Sequence, residues 1–174
     1  MLRSLVGSEM CIRDRDYTND LGTLGLTWVH GLDVVDQWAS DFQKERENMD
    51  VYSVRGEGSA GIENASFAFE YAWQDKDAGP EKAWYAEAGY TFADVAWSPK
   101  VTYRYTRYSQ GWDSLFTGLS TGYGTWFQGE VAANYSGPFN SNTGIHHVGL
   151  KATPLENLTA VSYTHLTLPT TPYV

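Results

Sequence analysis

Cysteine, basic residues and long apolar runs are all scarce in this sequence. Its 174 residues include a single cysteine, Cys11, so a fold that depends on disulfide bonds is excluded. No segment approaches the roughly 18 consecutive apolar residues that a membrane-spanning helix requires, which excludes a helical membrane protein. The 12 Lys and Arg residues stand against 21 Asp and Glu. So acidic a chain argues against nucleic acid as a partner, because phosphate binding needs a basic surface.

Both ends of the chain resemble translated sequencing adapter. The run from Leu5 to Arg15 matches a reading frame of a transposase library adapter, and the run from Val161 to Thr170 matches the opposite adapter in reverse complement. The first 15 residues also lack the apolar stretch and small-residue cleavage site of a signal peptide. We therefore predict that residues 1–15 and 161–174 are adapter-derived and not native, and that residues 16–160 are an internal fragment of a longer protein.

The predicted native segment differs in composition from the whole chain. The predicted native segment has no cysteine, which fits an envelope protein that folds without disulfide bonds. The 12 basic and 21 acidic residues of the whole chain fall to 9 and 19, a net charge of −10, when the charged residues of the adapter are removed: Arg3, Arg13, Arg15, Glu9 and Asp14.

Aromatic residues make up 15% of the chain, and its mean hydropathy is −0.41. A strand of a membrane barrel carries apolar residues only at alternate positions, so its mean hydropathy stays low. The composition therefore permits a β-barrel.

Period-two alternation runs through most of the chain and is clearest near residue 70. Phe67, Phe69, Tyr71 and Trp73 fall on one face of a strand, opposite polar residues that include Glu70, because successive side chains of a strand point to opposite faces. The same pattern predicts strands at Gly22–Val34, Val51–Gly58, Asn64–Gln74, Ala83–Phe92, Lys100–Tyr108, Trp126–Tyr135 and His146–Ala152. An eighth strand begins near Leu158 and is cut off by the adapter.

These strands predict an all-β fold: a fragment of a large antiparallel transmembrane β-barrel with about seven full strands. About ten residues per strand is the length that crosses a bilayer at a tilt. Longer connections (Val35–Asp50, Asp75–Lys82, Ser109–Gly124) alternate with shorter ones (Ala60–Glu63, Ala93–Pro99, Gly137–Thr143), as in outer-membrane barrels. The alternative is a soluble β-sandwich or lectin-like domain, which also alternates. Aromatics near strand ends and charges along the opposite face favour the barrel, with a water-filled lumen.

Two motifs that suggest enzymes lack their structural context. Gly56–Gly61 fits G-x-G-x-x-G, but a strand follows it instead of a helix. Gly118–Gly122 fits G-x-S-x-G, but a loop precedes it and a strand follows. The adjacent His146 and His147 point to opposite faces of a strand and cannot share a metal ion. We therefore predict no enzymatic activity, no cofactor and no metal site.

Four segments together resemble the alginate-export family of outer-membrane proteins: Trp112–Phe116, Gly124–Glu130, Asn140–Asn142 and Leu150–Pro154. The similarity covers most of Val51–Thr159. It implies a single-chain barrel of roughly eighteen strands, in the outer membrane of a Gram-negative bacterium, that passes an anionic polysaccharide or related solute passively. Ser114 stands where that family often has proline.

The predicted pore-lining residues have mixed charge. An anion conduit is expected to have a basic lumen, whereas here Arg55, Lys100, Arg104 and Lys151 would attract anions and the four glutamates would pair with them. The full set of predicted pore-lining residues is Arg55, Glu57, Glu70, Glu87, Lys100, Arg104, Glu130, His147 and Lys151. Trp112 and Asp113 are loop candidates: we expect this loop to face solvent, with the alternative that Trp112 folds inward and contacts sugar.

The sequence thus predicts an outer-membrane porin. A hydrophilic saccharide-type solute would pass through it passively, and the protein would catalyse no reaction. Its expected partners are outer-membrane lipid, the solute or polysaccharide, and the barrel assembly machinery, with no nucleic acid. Two alternatives stay open. One is a non-conducting structural or adhesive barrel with a plugged lumen, and the other is a soluble β-domain that binds or hydrolyses carbohydrate.

Overall fold

The computed structural model describes residues 10–32, 47–77, 79–112, 142–155 and 158–169. These residues form one eight-stranded antiparallel sheet in which each strand pairs with the next along the chain. The strands are β1 Met10–Asn19, β2 Gly22–Gly31, β3 Asp50–Gly58, β4 Ala65–Asp75, β5 Glu81–Thr91, β6 Lys100–Tyr108, β7 Thr143–Leu155 and β8 Leu158–Pro169. Helices long and apolar enough to span a membrane do not occur within these ranges.

The predicted all-β, antiparallel fold is confirmed. Strands β2 to β7 lie where the alternation predicted them, with bounds that differ by a few residues. The sheet is open, with β1 and β8 at its edges, as in a fragment of a larger barrel. The predicted strand Trp126–Tyr135 lies outside the described residues. Strand β6 pairs directly with β7, with Arg104 opposite His147.

The two edge strands extend beyond what the alternation predicted. Strand β1 was not predicted, and β8 continues to Pro169 rather than stopping at Ala160. An edge strand presents a row of unpaired N–H and C=O groups, which can pair with any extended segment whatever its side chains. Backbone pairing at the two edges therefore needs no alternation in the sequence of β1 or β8.

The sheet has two faces of opposite character, and the apolar one is exposed. On β4, Phe69 and Trp73 are 44% and 39% exposed, whereas Glu70 and Gln74 on the other side are 4% and 0% exposed. The same division holds from β2 to β7. We call the face with Phe69 the outer face and the face with Glu70 the inner face. The sheets of water-soluble domains bury their apolar face instead. In this sheet the apolar face is the exposed one.

Connections divide the sheet into a turn end and a loop end. The turn end holds the connections 20–21, 59–64, 92–99 and 156–157, and the loop end holds 32–49, 76–80 and 109–142. Between β3 and β4 the chain reverses through the left-handed residues Ala60 (φ 51°) and Gly61 (φ 77°). The predicted alternation of length fails once, because the loop-end connection 76–80 is shorter than the turn-end connection 92–99.

Candidate functional site

All predicted pore-lining residues that the structure describes share the inner face. The register places them there because residues directly opposite across two strands point to the same side: Arg55 pairs with Glu70, Glu87 with Arg104, Arg104 with His147, and Lys100 with Lys151. Glu57 also belongs to this face, opposite Ala68. Glu130 and the loop candidate Asp113 lie outside the described residues. The inner face has three bands along the strands: charged in the middle, basic at the turn end and apolar at the loop end.

The middle band contains arginines held by carboxylates. The Arg104 Nε lies 2.9 Å from Glu87 Oε2, and the Arg104 guanidinium carbon lies 4.0 Å from the centre of the Tyr85 ring. An arginine that is both ion-paired and stacked is held in one orientation. A solute that passes this face would therefore meet little net charge at Arg104.

Arg55 on β3 is held by two carboxylates and a hydroxyl group. Its Nη2 lies 2.7 Å from Asp16 and 3.0 Å from Asp14, and its Nη1 donates to Thr27 at 2.5 Å. The guanidinium crosses Gly25, where a Cβ atom would come within 2.7 Å of it, so a larger residue at this position would displace the Arg55 side chain. Asp14 belongs to the predicted adapter, whereas Asp16 belongs to the predicted native segment.

Glu70 is the most enclosed carboxylate of the middle band. Ser53 Oγ donates to Glu70 Oε1 at 2.5 Å, and the strand register places Arg55 directly opposite. A buried carboxylate needs such partners, because an unpaired charge in a low-dielectric site is costly. The predicted pairing of inner-face glutamates with basic residues is thus present for Glu87 and Arg104, and Glu70 lies beside Arg55.

The basic band at the turn end consists of Lys100 and Lys151. They lie directly opposite each other on β6 and β7, and within the described ranges neither forms an ion pair. Like charges directly opposite in a sheet repel each other. These two side chains, rather than Arg55 and Arg104, are the basic groups best placed to meet an anion at the inner face.

An apolar cluster covers the inner face at the loop end. It includes side chains from the strands and one from each of two connections, Met49 (2% exposed) and Trp112 (3% exposed). The expectation that Trp112 faces solvent is wrong, since it packs inward. The members of the cluster that lie on strands are Val29, Val51, Ala72, Ala83, Tyr108 and Ile145.

The chain before Trp112 is anchored to the neighbouring hairpin. Ser109 Oγ accepts the N–H of Lys82 at 2.8 Å and donates to the Glu81 carboxylate. Lys76 Nζ donates to the carbonyl of Gly111 at 2.7 Å. The sequence does contain a signal that Trp112 turns inward. A lumen filled with water along its whole length would have polar residues on the inner face. At the loop end of β2, β3 and β7, however, the inner-face residues are Val29, Val51 and Ile145.

His146 and His147 lie on opposite faces, as predicted. His147 is buried on the inner face, whereas His146 lies on the outer face with its Nδ1 2.8 Å from the Tyr103 hydroxyl. Within the described part of the chain, no group of His, Cys, Asp and Glu side chains is arranged to hold a metal ion.

Comparison with known proteins gave no relative: no family model, no curated protein and no solved structure matches this chain.

Proposed function

We propose that this chain contains part of a bacterial outer-membrane β-barrel whose inner face lines a path for a hydrophilic solute, as the resemblance to the alginate-export family implies. The observation that carries the proposal is the exposed outer face. From β2 to β7 it holds large aromatic and aliphatic side chains, and its acidic, basic and histidine residues are confined to the loop end: His30, Asp50, Asp75, Lys82, Arg107 and His146. Such a wide apolar band is stable in contact with lipid and unfavourable in contact with water.

The height of this apolar band supports a membrane. The outer-face side chains of β5 from Trp84 to Tyr90 carry no charge, and neither does Phe92, which follows the strand and contacts the Tyr90 ring. At about 3.3 Å per residue this is about 26 Å along the strand, and about 20 Å along the membrane normal for a tilt near 40°. Outer-membrane barrels have an apolar band of about 25 Å.

The ionisable boundary also slopes across the sheet as a tilted barrel wall requires. His30, Asp50 and Asp75 lie opposite one another, whereas Lys82 is opposite Trp73, Arg107 opposite Trp84, and His146 opposite Tyr105. The boundary thus moves by about six residues over about five strand pairs, which corresponds to a tilt of about 40° for strands about 4.8 Å apart. Barrel strands are tilted by about 35–45°.

The two edge strands do not keep the apolar outer face of β2 to β7. Strand β1 has Arg13 and Arg15 on the outer side, opposite Trp28 and Leu26. Strand β8 has Ser162 and Thr164 on the outer side. Native lipid-facing strands do not carry charges at such positions without a large cost. This is the behaviour expected of residues 10–15 and 161–169 if they are adapter-derived.

Charge reversal at the basic band is the test of solute selection. In the protein encoded by the uninterrupted reading frame, changing Lys100→Glu and Lys151→Glu together is expected to raise the cation-to-anion permeability ratio several-fold in planar bilayers, because selectivity follows the charge of the lining. The control pair Lys100→Arg and Lys151→Arg keeps the charge and should leave the ratio unchanged. Arg104 is a poorer choice, because its reversal would place a second carboxylate beside Glu87.

The result distinguishes the functional alternatives. A protein that inserts and conducts but does not respond to the reversal contradicts the role of these lysines. Insertion without conductance would instead favour a structural or adhesive barrel with a plugged lumen. The apolar cluster around Trp112 supports that second candidate, since it fills the inner face at the loop end.

A further inference from the structure

A row of hydroxyl groups and glycines crosses the inner face next to the basic band. It runs over β4 to β7, where each member lies directly opposite the next: Ser66, Gly89, Thr102 and Gly149. We call these four residues the hydroxyl row. All four strands belong to the predicted native segment, so the row is not made of adapter residues. The basic band, Lys100 and Lys151, occupies the next inner-face positions of β6 and β7 toward the turn end.

The hydroxyl row and the basic band meet over Gly89. A Cβ atom added at Gly89 would lie 2.6 Å from Ser66 Oγ and 3.1 Å from Lys100 Cε. Because Gly89 has no side chain, a hydroxyl group from β4 and a lysine from β6 approach the same point of the sheet. A larger residue at this position would push them apart.

The donors in this region are not matched by acceptors. Ser66 Oγ is buried and has no hydrogen-bond partner among the described residues. In the same part of the chain neither lysine of the basic band forms an ion pair, and Asp94 in the connection after β5 forms none either. The inner-face carboxylate two residues before Gly89, that of Glu87, is paired with Arg104. The region therefore favours a ligand that brings negative charge and acceptor oxygens.

Two lysines directly opposite each other favour a ligand with two negative charges. Like charges at such positions repel each other, and a carboxylate or a sulfate ester, with one negative charge, would compensate only one of them. A phosphate monoester has a charge of about −1.5 to −2 at pH 7 and three strong acceptor oxygens. Two ammonium groups and the hydroxyl groups of Ser66 and Thr102 supply donors for these oxygens.

We propose that the basic band and the two hydroxyl groups of the row form a binding site for a dianionic phosphate group, carried by a saccharide or free in solution. This inference rests on the proposed function, because it needs the inner face to line an aqueous path. The ammonium groups bind the phosphate oxygens through charge-assisted hydrogen bonds, and Ser66 donates a further one. Lys100 has a flexible stem, so its ammonium can turn toward the ligand and uncover the Ser66 hydroxyl beside it. The site binds weakly, as passage along a conducting path requires.

The test measures binding directly and does not depend on conductance. The protein from the uninterrupted reading frame is titrated calorimetrically in detergent at pH 7.5 with glucose 6-phosphate, glucose 6-sulfate and glucuronate. The phosphate is expected to bind roughly tenfold more tightly than either monoanion, since one hydrogen bond to a charged group contributes about a tenfold factor or more.

A titration at pH 5 checks the role of the second charge. Phosphate loses most of its second charge there, because the second pKa of a phosphate monoester is about 6, so its advantage over the sulfate should disappear. The titratable inner-face groups next along these strands are Glu70, Glu87 and His147. They act on the sulfate as well, and the sulfate keeps its charge, so its titration measures their contribution.

Single substitutions identify the residues of the site. Lys100→Gln and Lys151→Gln should each weaken the binding of glucose 6-phosphate by roughly tenfold, and Ser66→Ala by roughly two- to tenfold. The matched control, Lys82→Gln, removes a lysine from the outer face, where Lys82 lies opposite Trp73. It should bind the sugar phosphate as the unchanged protein does.

Two results overturn the site: equal affinity for the phosphate and the sulfate at pH 7.5, or unchanged affinity in both lysine variants. Inorganic phosphate, titrated in parallel, distinguishes the two sources of the group, because the tighter of the two ligands identifies the saccharide or the free ion. Planar-bilayer conductance is recorded on the same samples. A protein that conducts without preferring phosphate overturns only this inference, whereas one that binds phosphate at these residues without conducting overturns the proposed path and retains the site.

Discussion

Replacing Ala88 with arginine is expected to lower the free energy of unfolding by about 2–4 kcal/mol, the cost of a charge at the lipid-facing midplane of a barrel. Ala88 lies on the outer face near the middle of β5, opposite Phe67 and Tyr103. It is exposed. If water contacted this face, an added arginine would change stability by less than about 0.5 kcal/mol. The measurement is denaturant unfolding of the protein in lipid vesicles, followed by tryptophan fluorescence.

The matched control makes the same substitution on the inner face. Ala68 lies on β4 between Glu57 and Glu87 on the neighbouring strands. An arginine there would meet two carboxylates, so Ala68→Arg is expected to cost less than about 1 kcal/mol. If Ala88→Arg proves no more costly than Ala68→Arg, the assignment of the outer face to lipid is wrong.

Replacing Trp112 with alanine is expected to weaken the cover of the inner face at the loop end. Trp112 is 3% exposed and belongs to a cluster with apolar side chains from six strands, β2 to β7, and truncation of such a tryptophan costs about 3–5 kcal/mol. The strands are held by their own hydrogen bonds, so the loss should act on the connection more than on the sheet. We expect higher single-channel conductance and faster proteolysis near residue 112.

Trp97 provides the control for this change. It lies in the turn-end connection between β5 and β6 and is 64% exposed. Its replacement by alanine should leave both conductance and proteolysis near residue 112 as they were. An unchanged conductance in Trp112→Ala, in a protein that conducts, contradicts the view that the apolar cluster obstructs the path.

The strands were predictable from the sequence because apolar and polar residues alternate with a period of two along each of them. Phe67, Phe69, Tyr71 and Trp73 share a face in any register, so the division between an aromatic face and a charged face could be predicted. The same holds for Glu87, Arg104 and His147, which share the inner face although they come from three strands. Which of them meet was not predictable, because it depends on register.

The inward position of Trp112 was not predictable from local pattern. Its burial depends on apolar side chains that come together only in the sheet, such as Val51 from β3 and Ile145 from β7. The extent of β1 and β8 was missed for a different reason, since edge pairing uses backbone groups that every residue carries. The first failure concerns contacts between distant segments, and the second concerns the backbone pairing of the edge strands.

The most direct test of the central claim is to measure which face of β4 touches lipid. Single cysteines replace each residue from Ser66 to Gln74 in turn, in the protein from the uninterrupted reading frame reconstituted in lipid, and each is spin-labelled. Collision rates with oxygen, which concentrates in lipid, and with a water-soluble nickel complex are then compared. Our account predicts oxygen maxima at positions 67, 69, 71 and 73, and nickel values that are higher at the alternate positions than at these four. Nickel maxima at 67, 69, 71 and 73, or protection of these positions from both reagents, would contradict it, because the aromatic face would then lie in water or in a protein core.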